Sequence, residues 1–120
     1  MNAQEIVAAN VAARGYLAGW TQSQAAARQV AKATEELAEL AQAIDGAEWF
    51  TDALRIAGGR ARAMFDSPEA WDGVEFDALI AHYEIADVMV PVLMLASLLQ
   101  TDVVQAAIDK SSADVARGVR

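Results

Sequence analysis

The chain has 120 residues, 55% of them hydrophobic and only two of them proline, and 17 acidic against 9 basic residues give it a formal charge of −8. That charge argues against a general binder of nucleic-acid polymers, which needs Lys and Arg to neutralise phosphates, whereas a free nucleotide carrying its own Mg²⁺ stays compatible. The absence of cysteine excludes disulfides and thiolate zinc sites, and the length fits one domain over 1–120 that gains from oligomerisation.

The alanine-rich, proline-poor composition predicts an all-α fold. Ala3 to Ala13 reads as a short helix broken by Arg14-Gly15. Hydroxyl residues at Thr21 to Ser23 can cap a second helix that runs to about Ile44. Within it Val30, Ala33, Leu37, Leu40 and Ile44 form an apolar stripe at helical spacing, expected to be buried. Asp45-Gly46 ends that helix. A short one follows over Glu48 to Ala57, with Gly58-Gly59 as its break, and then a loop from Asp66-Ser67-Pro68 to Asp72-Gly73. A third long helix is expected from about Val74–Phe76 to Leu99, kinked where Pro91 deprives the Asp87 carbonyl of its partner. Thr101-Asp102 opens a last helix to about Val115. The most apolar stretch, Val88 to Leu99, is too short to span a bilayer. MNAQEIVAAN lacks the basic and apolar regions of a signal peptide. A cytoplasmic protein without membrane contact is the expectation, its Val88–Leu99 run buried in a core or subunit interface.

Two carboxylate pairs carry the chemistry. Glu36-x-x-Glu39 and Glu84-x-x-Asp87 each place two carboxylates on one helix face. At 100° per residue Gln29, Lys32, Glu36 and Glu39 share a face adjoining the apolar stripe. Four clustered carboxylates are unstable without a cation among them, and hard oxygens suit Mg²⁺ or Mn²⁺. A rival pair, Glu69-x-x-Asp72, falls in a loop where helical spacing does not hold. The bland alternative is a solvated face in which Lys32 and Glu36 form an ordinary i,i+4 pair.

These residues, taken in order, resemble the MazG-like group of all-α nucleoside triphosphate pyrophosphatases. The family pattern has a helix with K-x-x-E-E-x-x-E, then a helix with E-x-x-D running into apolar residues. Its closing helix carries D-x-x-x-A-x-x-x-K-x-x-x-N-x-x-R. Here the first part is Lys32-x-x-Glu35-Glu36-x-x-Glu39, preceded by Gln29, and the second is Glu84-x-x-Asp87. The third is Asp102, Ala106, Lys110, Asp114 and Arg117, with Asp114 where asparagine is usual. The interval from Glu39 to Glu84 is longer than usual, leaving room for an added helix or lid. The resemblance implies a bundle of four to five helices, and the apolar Val88–Leu99 run and the modest chain length point to a homo-oligomer, a homodimer or homotetramer. The resemblance also implies a Mg²⁺-dependent enzyme that splits an NTP or dNTP into the monophosphate and pyrophosphate, keeping the nucleotide pool clean. Glu36, Glu39, Glu84 and Asp87 would be the metal ligands, and Glu35 or Glu39 would serve the attacking water. Gln29, Lys32, Lys110, Asp114 and Arg117 would face the substrate. The alternative from another class is a catalytically silent helical scaffold that oligomerises through the same apolar faces.

Other residues are read blandly. Arg55, Arg60 and Arg62 surround Gly58-Gly59 without the Gly-Lys-Ser/Thr of a P-loop and read as a solvated turn. His82, the one histidine, reads as structural and leaves too few imidazoles for a di-iron bundle. Trp49 or Trp71 is the better candidate to stack on a base, against the usual packing role of aromatic residues.

Overall fold

The computed structural model describes residues 1–65 and 67–118. Asp66, at the head of the expected loop, lies outside them. The described residues form five α-helices, α1 (Ala3–Ala13), α2 (Gln22–Ala41), α3 (Glu48–Arg62), α4 (Ala78–Leu98) and α5 (Val103–Ala116), with a 3₁₀ turn at Pro68–Trp71. No strand occurs among them, so the fold is all-α. The chain divides into two compact units, Gly19–Phe76 and Met1–Ala18 with Asp77–Arg120.

In the Gly19–Phe76 unit, α2 begins with a capping box. Thr21 accepts from the Gln24 N–H at 3.1 Å and the Gln24 side chain accepts from the Thr21 N–H at 3.0 Å, which satisfies two backbone donors that the helix end would leave orphaned. The helix stops at Ala41, three residues short of expectation, and Gly46 (φ +85°) turns the chain into α3. Helices α2 and α3 run antiparallel, with Thr51 Oγ1 donating to the Ala41 carbonyl at 3.2 Å near the turn. Their seam is built from small residues: Ala27, Ala31, Ala38 and Ala41 of α2 are buried, as is Gly58 of α3.

That seam overturns two expectations. Helix α3 does not break at Gly58-Gly59 but continues to Arg62. Two glycines inside a helix cost about 1 kcal/mol each relative to alanine, and the seam gives Gly58 a packing reason: a Cβ there would lie 2.8 Å from the Ala38 Cβ. Secondly, the expected apolar stripe is not the buried face. Val30, Leu37, Leu40 and Ile44 are 46–57% exposed, because close approach of α3 selects the alanine face of α2 instead. Helix α2 thus has three faces: the alanine seam, a leucine stripe and, on the far side of that stripe from the seam, the Glu36 and Glu39 carboxylates.

In the other unit, Asn2 caps α1 by accepting from the Glu5 N–H at 2.9 Å, and Asp102 caps α5 by accepting from the Gln105 N–H at 3.0 Å. The two helices pack together, with the Asn10 side-chain amide donating to the Ser111 and Ser112 hydroxyls at 3.0 and 3.1 Å. Asp77 caps α4 by accepting from the Leu79 and Ile80 N–H groups, which places the start of α4 later than the Val74–Phe76 expectation. The helix continues through Pro91.

Within its unit α4 buries little: Ala96 is its one buried residue, and Leu95, in the run expected to lie in a core or subunit interface, is 37% exposed in the single chain. The helix is longer than the Val88–Leu99 run: its 21 residues are long and apolar enough, by length and composition, to cross a bilayer, with mean hydropathy 1.6.

Candidate metal and phosphate site

Helix α2 delivers Lys32, Glu35, Glu36 and Glu39 from one continuous stretch. Lys32 Nζ lies 3.0 Å from Glu36 Oε1 and 3.4 Å from Glu35 Oε2, so the expected i,i+4 pair exists and a second carboxylate shares the same ammonium. Glu36 and Glu39 are exposed. The Glu39 carboxyl is raised above its ordinary value by a side-chain hydrogen bond with Glu36 and by that neighbour's like charge. A carboxylate pressed by a like-charged neighbour is a poor arrangement by itself and a good one around a cation. Gln29 stands exposed on the same helix.

Glu35 belongs elsewhere. Its side chain is 19% exposed and turns towards α3, where Arg62 Nη1 lies 3.8 Å away. Glu35, which the resemblance offered beside Glu39 to serve the attacking water, is an ion-pair partner of Lys32 and Arg62 at the α2–α3 seam. Arg62, read from the sequence as part of a solvated turn, is corrected with it.

Glu84 and Asp87 lie exposed on α4, one turn apart, as the spacing requires. The two carboxylate pairs belong to different units, Glu36 and Glu39 to one and Glu84 and Asp87 to the other. Within each unit, among the described residues, no group of three or more acidic or histidine side chains is arranged to hold a metal. Glu69 sits in the 3₁₀ turn and Asp72 just after it, where Asp72 Oδ1 accepts from the Gln24 side chain at 3.3 Å.

On α5 the structure gathers Lys110, Asp114 and Arg117. Asp114 accepts hydrogen bonds from Lys110 and from Arg117, which hold its carboxyl below the ordinary aspartate value. Asp114 thus keeps two cations on one side of the helix and leaves the trio with a net positive charge, a suitable surface for a phosphate group.

Of the aromatic candidates, Trp49 is 79% exposed and meets Phe50 edge-on at 5.9 Å. Trp71 is half-buried, and its Nε1 has no hydrogen-bond acceptor among the described residues. His82, expected as a structural residue, is exposed, its ring edge-on to Tyr83 at 5.3 Å. Arg55 pairs with Asp52 at 2.9 Å.

Sequence reasoning missed a second basic cluster altogether. Phe65, buried just beyond α3, carries the Arg28 and Arg62 guanidinium carbons at 4.8 and 4.9 Å from its ring centroid and Lys32 Nζ at 5.8 Å. Arg28 is itself buried and also lies over Trp20 at 5.9 Å. The i,i+4 spacing of Arg28 and Lys32 was the one signal available, since Phe65 and Arg62 reach them only through the α2–α3 pairing. Comparison with known protein families, curated proteins and solved structures finds no match for this chain.

Proposed function

We propose that the protein is a Mg²⁺-dependent nucleoside triphosphate pyrophosphohydrolase, resembling the MazG-like group, that converts an NTP or dNTP into the monophosphate and pyrophosphate. The observation that carries the reading is the Glu36–Glu39 pair: two exposed carboxylates on one helix face, each unfavourable to the other, with a lysine at their edge. All-oxygen donors of this kind fit Mg²⁺ or Mn²⁺. Glu36 and Glu39 would be metal ligands, and the resemblance would add Glu84 and Asp87 to the set. Bound Mg²⁺ supplies Lewis acidity to the phosphate oxygens and lowers the pKa of water.

The chain's own residues do the rest. Glu39 would accept the proton of the water that attacks the α-phosphorus. The bond from the α-phosphorus to the bridging oxygen breaks, and pyrophosphate leaves. Lys110 and Arg117, aligned by Asp114, bind phosphate oxygens and stabilise the charge that moves onto the leaving group. Glu35, tied to Lys32 and Arg62, orients those cations and is poorly disposed to serve as a base. The expected role is removal of unwanted nucleotides from the cytoplasmic pool.

The same reading includes a homo-oligomer, a dimer or tetramer. Covering the leucine stripe of α2 and the apolar surface of α4 would stabilise by roughly 1.5–3 kcal/mol per large side chain removed from water. Protein suits α4 better than lipid as its cover, because an acidic residue near a bilayer centre costs about 2.5–3.5 kcal/mol and α4 carries Glu84 and Asp87 there. Light scattering at micromolar concentration is expected to give a multiple of the 12.8 kDa chain mass; a stable monomer would reject this part.

Thermal denaturation in a Mg²⁺ titration tests the metal site. Bound cation is expected to raise the midpoint, by an amount that grows with the logarithm of concentration beyond saturation of the site. K⁺ at matched ionic strength should not do so. No difference between the two salts would favour the silent scaffold, in which the carboxylates are merely solvated.

A further inference from the structure

We infer that α4 pairs with α4 of a second copy of this chain in an antiparallel, two-fold arrangement centred on Met94. The inference deepens the homo-oligomer proposed above and rests on that reading for self-association, adding which helix meets which and in what direction. Helix α4 buries only Ala96 within its own unit. At 100° per residue Tyr83, Asp87, Val90, Met94 and Leu98 fall in one stripe on the side away from Ala96. Val90, Met94 and Leu98 are 67%, 57% and 68% exposed. Together with the other exposed side chains from Val88 to Leu99 they form a continuous apolar surface of the kind that marks an interaction site.

Charge decides the occupant. The uncharged run Val88–Leu99 has 12 residues, against about 20 for a helix that crosses a bilayer. Extending it to that length takes in Asp87 and Glu84. A second copy presents a run of the same length and the same lack of charge, and a two-fold axis requires one surface to complement itself.

Charge also sets the direction. Parallel pairing would set Asp87 against the partner's Asp87 along the stripe, and like charges opposed across an interface are strongly disfavoured. Antiparallel pairing about Met94 sets Val90 against the partner's Leu98 and Leu98 against the partner's Val90. Because α4 ends at Leu98, Asp87 then falls beyond the end of the partner helix, level with the partner's Thr101. Glu84 lies further out still. Methionine suits the axis, where a side chain must pack against its own copy, because it is unbranched and adaptable.

The chain has no cysteine, so thiol cross-linking reads the pairing without background. Single-cysteine variants of the full chain are treated with a short bis-maleimide, whose reach suits helix axes about 8–10 Å apart. Met94→Cys is expected to give a covalent dimer as the main product. Should that variant fold poorly, the double variant Val90→Cys/Leu98→Cys takes its place, linking 90 of one copy to 98 of the other. Tyr83→Cys lies on the same stripe, but antiparallel pairing holds its two copies roughly 33 Å apart, so it should stay unlinked. Met94→Glu should raise the dimer dissociation constant roughly a hundredfold, since it puts two like charges on the axis.

Tyr83→Cys linking as readily as Met94→Cys would mean parallel pairing or random collision, and would overturn the inference. So would an unchanged dissociation constant for Met94→Glu. Absence of a link at Met94 in protein that light scattering shows to be oligomeric would overturn the α4 pairing and leave the oligomer reading standing, whereas a monomer would remove both. Co-sedimentation with phosphatidylcholine vesicles in place of a cross-link would assign the surface to lipid and overturn it. The link is read without nucleotide or metal, so its presence in protein that turns over no nucleotide would sink the enzyme reading alone.

Discussion

Glu39→Gln and Asp87→Asn are each expected to remove Mg²⁺-dependent pyrophosphate release, lowering kcat/KM by roughly 10²–10³-fold while leaving helix content as in wild type. The magnitude is that of losing one preorganised electrostatic contact to the charge that develops in the transition state. The amide replacements keep shape and remove charge, and both positions are exposed, Asp87 in the middle of α4 and Glu39 in the last turn of α2, so neither supports a core. Glu39→Gln carries a second signature. Glu36 presses like charge on Glu39 in the metal-free protein, so its removal is expected to leave the apo chain at least as thermostable as wild type and to abolish the gain that Mg²⁺ confers. Near-normal release from both variants would exclude the ligand assignment, and a fall in stability without Mg²⁺ would mean that these carboxylates hold the fold.

Gly58→Ala and Gly59→Ala should move stability in opposite directions, although the two changes are chemically identical and one residue apart on α3. Both gain about 1 kcal/mol of helix propensity. A methyl group at Gly59 meets open space, so that variant keeps the gain. At Gly58 the new methyl would meet the Ala38 Cβ at 2.8 Å and the Glu35 Cα at 3.4 Å, neither of which has a flexible end that can turn aside. The helices must separate, and overpacking of this kind costs about 1–3 kcal/mol. A difference of about 2 kcal/mol between the variants is expected from urea denaturation. Equal stabilisation by both would mean that α2 and α3 do not touch at Ala38.

How much of this was legible in the sequence follows from how local each feature is. Caps and breaks depend on neighbouring residues, so Thr21, Asp102 and Arg14-Gly15 marked real helix ends. Failure came where a distant element decided. Leucines at helical spacing look like a core stripe, but Ala27, Ala31, Ala38 and Ala41 define a second, closer-packing face, and the glycine across the seam makes that face the one α3 chooses. Likewise Gly58-Gly59 reads as a break only until Ala38 is brought against it. Of the site, the order and helical placement of the acidic residues were legible, since i,i+3 spacing is a property of one helix. The split of Glu35 from Glu36 and Glu39 and the stacking of Arg28 and Arg62 on Phe65 depend on which face of α2 meets α3, which residue spacing along one helix cannot encode.

Turnover of nucleotides by the intact chain is the most direct measurement. Canonical and modified NTPs and dNTPs, incubated with the protein and Mg²⁺, are expected to yield nucleoside monophosphate and pyrophosphate in equal amounts for at least one base. No product should form in EDTA, and none should appear as diphosphate and orthophosphate. Release of orthophosphate instead would place the attack at the γ-phosphorus and contradict the assigned reaction. Absence of any Mg²⁺-dependent product across the panel, from protein of native helix content, would contradict the enzyme reading itself.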